Sequence, residues 1–136
     1  MWAQKNEYGK AIRDCDEAIR LDSKSRAWNN KAWLLATCPD EKFRDGKQAI
    51  EVATKACELT AWENYVQLDT LAAAHAEAGD FEQAVKWQEK VVSLLPPAER
   101  ADSESRLKLY REGKPYRELP KTNPAADAPA PGLRRR

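Results

Sequence analysis

The side chains that could do chemistry are few and scattered. His75 is the sole histidine, and Cys15, Cys38 and Cys57 stand 23 and then 19 residues apart. A zinc site draws its ligands from closely spaced pairs and a disulfide framework needs an even number of cysteines, so neither follows from this set. Cys15 and Cys57 fall among small apolar residues with helical spacing, where a free thiol packs as a small hydrophobe. His75 sits in Ala72-Ala73-Ala74-His75-Ala76, with no serine or cysteine near in sequence. It reads as a half-buried imidazole bonded to a neighbour. Asp14, Asp16 and Glu17, and the pair Asp40-Glu41, read as solvated helix-surface carboxylates. No glycine-rich phosphate loop, H-E-x-x-H or G-x-S-x-G is present. No catalytic residue, metal ligand set or cofactor is expected, and the chain reads as a non-enzyme.

Composition narrows the partners. The 23 basic residues nearly balance 22 acidic ones, leaving a net charge of +1, so there is little long-range attraction to nucleic acid or an anionic membrane. The closing Arg134-Arg135-Arg136 adds three charges on a flexible end, enough for weak, salt-sensitive contacts only. No apolar run is long enough for a membrane span, and MWAQKNEYGK lacks the apolar stretch of a signal peptide. A cytoplasmic location is expected.

Helical periodicity runs through most of residues 1–113, interrupted at Cys38 to Gly46, and nothing there alternates with period two over a strand's length. The spacing predicts helices over about 8–21, 26–37, 45–59, 60–78, 81–95 and 98–112. Asp45 and Asp80 are placed to cap helix starts, and Gly79 to end one in the left-handed conformation. Thr60-Ala61-Trp62-Glu63 has the form of a capping box. Pro97 suits a first helical turn, and Gly113 with Pro115 closes the last helix. Five of the eight prolines follow residue 113, so 114–136 reads as a Pro/Ala-rich tail, disordered from about 120.

One frame recurs. Ala11-Ile12, Ala18, Leu21 is repeated as Ala49-Ile50, Ala56, Leu59 and as Ala84-Val85, Val91, Leu94, with starts 38 and 35 residues apart. Tyr8, Phe43 and Phe81 precede the three copies. A period near this length marks a helical repeat. Leu68, Leu71, Ala72, Ala78-Gly79-Asp80-Phe81, Ala84, Val91 and Pro96 resemble the tetratricopeptide repeat. Trp28, Ala32, Leu35, Ala49 and Ala56 fit a second unit, with Lys31 in place of the usual leucine and about five extra residues between its helices. A first unit is half present, with Met1 at about the middle of its first helix, Trp2 near the tyrosine position, and Tyr8 to Leu21 as its second helix. The stretch from Trp28 to Trp87, with Tyr110 to Arg117, looks like the C-terminal arrays of large bacterial multi-repeat proteins, some of which carry kinase or other domains upstream.

The resemblance implies an all-α fold: a short right-handed α-solenoid of antiparallel hairpins, about 2.5 units at 1–25, 26–60 and 61–96, with a capping helix at 97–113. It also implies a protein-interaction scaffold that takes a peptide or protein in the groove lined by the first helix of each unit. Carried over position by position, the groove candidates are Arg26, Asn29, Asn30, Trp33 and Thr37, then Asp69, Thr70, Ala73 and Glu77. Trp33 beside two amides could anchor a peptide. Alternatively, it packs on the loop around Pro39. The family's carboxylate clamp is not expected, because Val66 and Thr70 stand where basic residues are required. Ala11, Cys15, Ala18 and Ile19 form a face that lacks cover from a complete first helix. The expectation is either a longer natural protein or self-association there. The alternative function is a structural or oligomerising segment of a larger multidomain protein.

Overall fold

In a computed structural model, residues 7–24 and 26–118 are described, so Met1, Trp2, the tail from 119 and Arg134–Arg136 lie outside them. The described residues form six α-helices and no strand: α1 Tyr8–Leu21, α2 Ala27–Thr37, α3 Gly46–Leu59, α4 Tyr65–Glu77, α5 Phe81–Leu94 and α6 Ala101–Arg111. Each helix packs on the next, and α2 also packs on α4.

The apolar patterns explain the layering. In α1, α3 and α5 one stripe faces inward and the remainder is polar, as a helix with one solvated side requires. α4 differs: Leu68 and Thr70 to Ala74 are all buried, as is Ala76, because α4 meets α2, α3 and α5 at once. Its run of alanines lets three neighbours approach closely. Ala32 and Ala49, and Ala72 and Ala84, are fully buried, as expected of residues at helix crossings. Leu35, Val52, Leu68, Leu71, Val91 and Leu95 fill the main core, and a second cluster of Ala72, Ala76, Ala84 and Tyr110 docks α6. Lys31 of α2 places its ammonium 2.6 Å from the Asp16 carboxylate of α1, an ion pair that joins the two helices.

Local signals act as read at several helix ends. The Asp45 carboxylate accepts from the Gln48 amide (3.0 Å), and that of Asp80 accepts from the Gln83 amide (3.2 Å). Gly79 has φ +89° after α4, the left-handed position that favours glycine. The long connection after α2 folds into a 3-10 turn at Glu41–Phe43, and Phe43 meets Tyr8 edge-on at 6.3 Å.

Three expectations are corrected. Thr60 does not open a capping box. Its hydroxyl donates back to the carbonyls of Ala56 (3.2 Å) and Cys57 (3.1 Å) at the end of α3, and Asn64 caps α4 by accepting from the Val66 amide (2.9 Å). Between them Ala61 (φ 55°) and Trp62 (φ 62°) are both left-handed and turn the chain. The Trp62 ring lands on Trp87, stacked at 5.5 Å. Pro97 begins a 3-10 turn, Pro97–Glu99, and α6 starts only at Ala101. Residues 114–118, assigned to the tail, pack back onto the helices.

Candidate functional site

A network of polar and aromatic contacts joins α2, α4 and α6, with residues 114–118, which belong to no helix or strand, lying across it. Gly113, at φ +74°, ends α6 and turns the chain back. Pro115 has no amide to donate, so the segment cannot prolong the helix.

Three consecutive side chains then find partners, with Trp33 serving both the first and the third. The Tyr116 ring sits 5.8 Å from Trp33, with the Arg106 guanidinium 5.4 Å from its centroid. Arg117 donates to both carboxylate oxygens of Glu77, at 3.2 and 3.3 Å. The Glu118 carboxylate accepts from the Trp33 indole N–H at 3.1 Å. The Glu118 amide donates to the carbonyl of Thr37, the last residue of α2, at 2.8 Å. That carbonyl lies in the terminal turn of α2, where no following helical residue can donate to it.

Two further ion pairs support the face from beneath. Arg106 grips Asp69 through two nitrogens, at 3.3 and 3.1 Å, with both side chains largely buried. Burial opposes the charge on Arg106 most strongly, but the Asp69 carboxylate together with Tyr110 and Tyr116 outweighs it and holds the guanidinium above its ordinary range. Arg44 places Nε 3.3 Å from Glu77 and donates through Nη1 to the Cys38 carbonyl at 2.6 Å. Glu77 is thus shared between a fixed arginine below and Arg117 above. Burial, then the neighbouring Glu118 charge, push the Tyr116 phenol up, so it stays neutral and available for stacking. Aromatic pairs and neutral hydrogen bonds are each worth about 1 kcal/mol, and ordering one residue's backbone costs about as much. The segment is held, but close to balance.

The sequence-derived candidates divide among different surroundings. Trp33, Thr37, Asp69 and Glu77 meet at this face. Thr70 and Ala73 are buried in the core, with the Thr70 hydroxyl spent on the Val66 carbonyl (3.2 Å). Arg26 and Asn29 line a separate small recess with Lys24, Thr60 and Gln67. Asn30 faces a recess of about 360 Å³ between α1 and α2, lined also by Ala11, Asp14, Cys15, Ala18, Ala27 and Leu34. Ile19 is half-buried on α1. Trp33 packs on Tyr116 and against the main core.

Sequence reasoning missed Arg44, Arg106, Tyr116, Arg117 and Glu118. The only local signal was an aromatic-basic-acidic triplet directly after a helix stop, in a stretch whose prolines argued for disorder. Among the described residues no group of His, Cys, Asp and Glu could hold a metal, and no helix is long and apolar enough to cross a membrane. No family model, curated protein or solved structure matches this chain.

Proposed function

We propose that this chain is a non-catalytic protein-interaction module of tetratricopeptide type. In this reading α2–α3 and α4–α5 are two hairpins of a short right-handed solenoid, α1 is the second helix of an incomplete unit, and α6 is the cap. The recurrent alanine frame, the short connections and the successive packing of the helices support it. The observation that carries the interaction role is the non-helical segment 114–118 on the α2–α4–α6 face, held by a main-chain hydrogen bond, an aromatic contact and a two-bonded arginine-carboxylate pair. A surface that holds one segment of polypeptide this way has the chemistry to hold another. Function in the cytoplasm belongs to the same proposal.

The test is a comparison of Trp33→Ala with Asn30→Ala. The first should lose a captured partner at unchanged helicity, and the second, in a different recess, should keep it. Equal capture by both variants would remove the face from the binding surface.

A second reading, an oligomerising segment of a larger protein, is favoured by the recess between α1 and α2. Three of the four residues expected to lack cover, Ala11, Cys15 and Ala18, line it. Light scattering over a wide concentration range, with and without Ile19→Glu, tests this. Loss of a dimer in the variant would support it, and a monomer throughout would end it.

A further inference from the structure

We infer that the α2–α4–α6 face selects peptides carrying an aromatic, a basic and an acidic residue in succession, and that Tyr116-Arg117-Glu118 is the chain's own copy of that ligand, which a partner displaces. The inference rests on the interaction reading above and adds the chemistry of the partner and its competition with the chain itself.

The order of the three residues follows from the order of the groups beneath them. Trp33 and Arg106 offer a ring and a planar cation, so the first residue must be aromatic: only a π-face satisfies both at 5.8 and 5.4 Å. Glu77 offers the second residue two carboxylate oxygens at 3.2 and 3.3 Å, which calls for a fork of donors. The third residue meets an indole N–H, which only donates, at 3.1 Å. An acid supplies the acceptor. Exchanging the second and third residues would set a carboxylate against Glu77 and leave the indole facing a cation. The Thr37 carbonyl takes a main-chain amide that any residue but proline supplies.

The segment reaches its place through a linker of a few residues after α6. A short tether holds its tip at an effective concentration that is roughly millimolar. The hydrogen bonds and ring contacts described beyond Pro115 come from three side chains and one amide, all of which a second peptide can bring. A peptide therefore binds only to the fraction of molecules in which the segment has lifted. Its apparent affinity is lowered by that fraction.

The test uses the full chain and a fluorescein-labelled synthetic peptide with the sequence of residues 112–118, read by fluorescence anisotropy. Tyr116→Ala, Arg117→Ala and Glu118→Ala are combined in one protein, with helicity checked by circular dichroism. The combined variant should bind the peptide about tenfold more tightly than the unaltered chain, as expected when a segment seated roughly nine-tenths of the time is removed. A peptide with its arginine and final glutamate exchanged should not bind. Adding Trp33→Phe, which keeps a ring but loses the N–H, should weaken binding several-fold. Equal affinity for the unaltered chain and the combined variant, or equal binding of the exchanged peptide, overturns the inference. An array of random peptides of the same length separates the two levels. Binding of peptides without this residue order sinks the stated chemistry and leaves the interaction reading standing, whereas a folded variant that binds none sinks both. A dimer of the unaltered chain that becomes monomeric in the combined variant assigns the segment to exchange between copies and also overturns the inference.

Discussion

Gly46 opens α3, and replacing it with alanine sets two physical effects against each other. Intrinsic propensity favours the change, since alanine is better than glycine in a helix by up to about 1 kcal/mol. The packing opposes it. A Cβ on Gly46 would lie 2.5 Å from the Ala78 amide nitrogen, 2.7 Å from the Ala78 Cα and 2.8 Å from the Glu77 carbonyl carbon, whereas ordinary contact begins at 3.4 Å. All three atoms are backbone, so no side chain can rotate away, and the start of α3 must part from the end of α4 by about 1 Å. Forcing a carbon into a packed crossing typically costs about 1–3 kcal/mol. We expect Gly46→Ala to destabilise the fold by about 1–2 kcal/mol net and to lower the melting temperature by about 4–10 °C. Urea unfolding followed at the helical circular dichroism band measures it. Gly9→Ala is the comparison, because its Cβ would meet only side-chain atoms, at 3.2 Å and beyond. The displacement falls on Glu77, so Gly46→Ala should also loosen Arg117. A Gly46→Ala protein as stable as the unaltered chain, or more so, would refute the packing argument and leave propensity in charge.

Three other outcomes can be checked independently. Ala61→Gly should stabilise the fold by about 1 kcal/mol in urea unfolding, since Ala61 is held left-handed at φ 55°; destabilisation would mean that the alanine methyl makes a contact worth more than the strain. Cys15 is half-buried, Cys38 and Cys57 are buried, and burial pushes the Cys57 thiol up to about 12. A thiol reagent should therefore modify Cys15 first and reach Cys57 only on unfolding, and equal rates for the two would contradict the packing of α3 on α4. Burial lowers the pKa of His75 below its ordinary 6.5, with Asp80 opposing. The unfolded chain thus binds the proton more readily, so stability is intact above pH 6.5 and falls as the pH drops below that value. His75→Gln should reduce the difference in urea midpoint between about pH 7.5 and about pH 5.5, and an unchanged difference would show that other groups carry it.

Much of this molecule is written locally in its sequence. Helix positions, the alanine pairs at the crossings, the aspartate caps at 45 and 80 and the left-handed Gly79 each depend on residues within a turn or two of one another. Periodicity and capping report such short-range physics directly. The failures lie where two local signals compete. Thr60 could cap the following helix or bond back to the preceding one, and the turn of left-handed residues that seats Trp62 on Trp87 goes with the second choice. The site lies beyond local reading altogether. Its contacts join Arg106 to Asp69 across 37 residues, Arg117 to Glu77 across 40 and Trp33 to Glu118 across 85. No spacing rule connects positions so far apart, and prolines that speak for disorder in isolation cannot register that a tyrosine, an arginine and a glutamate will find a ring, a carboxylate and an indole waiting. The sequence by itself determined the helices and where they can approach closely, because those are properties of short stretches of chain. Only the tertiary packing, with α2 against α4 and Arg106 of α6 bonded to Asp69 of α4, decided which residues face one another, that Gly46 has no room for a methyl group, and that residues 114–118 lie against Trp33, Thr37 and Glu77.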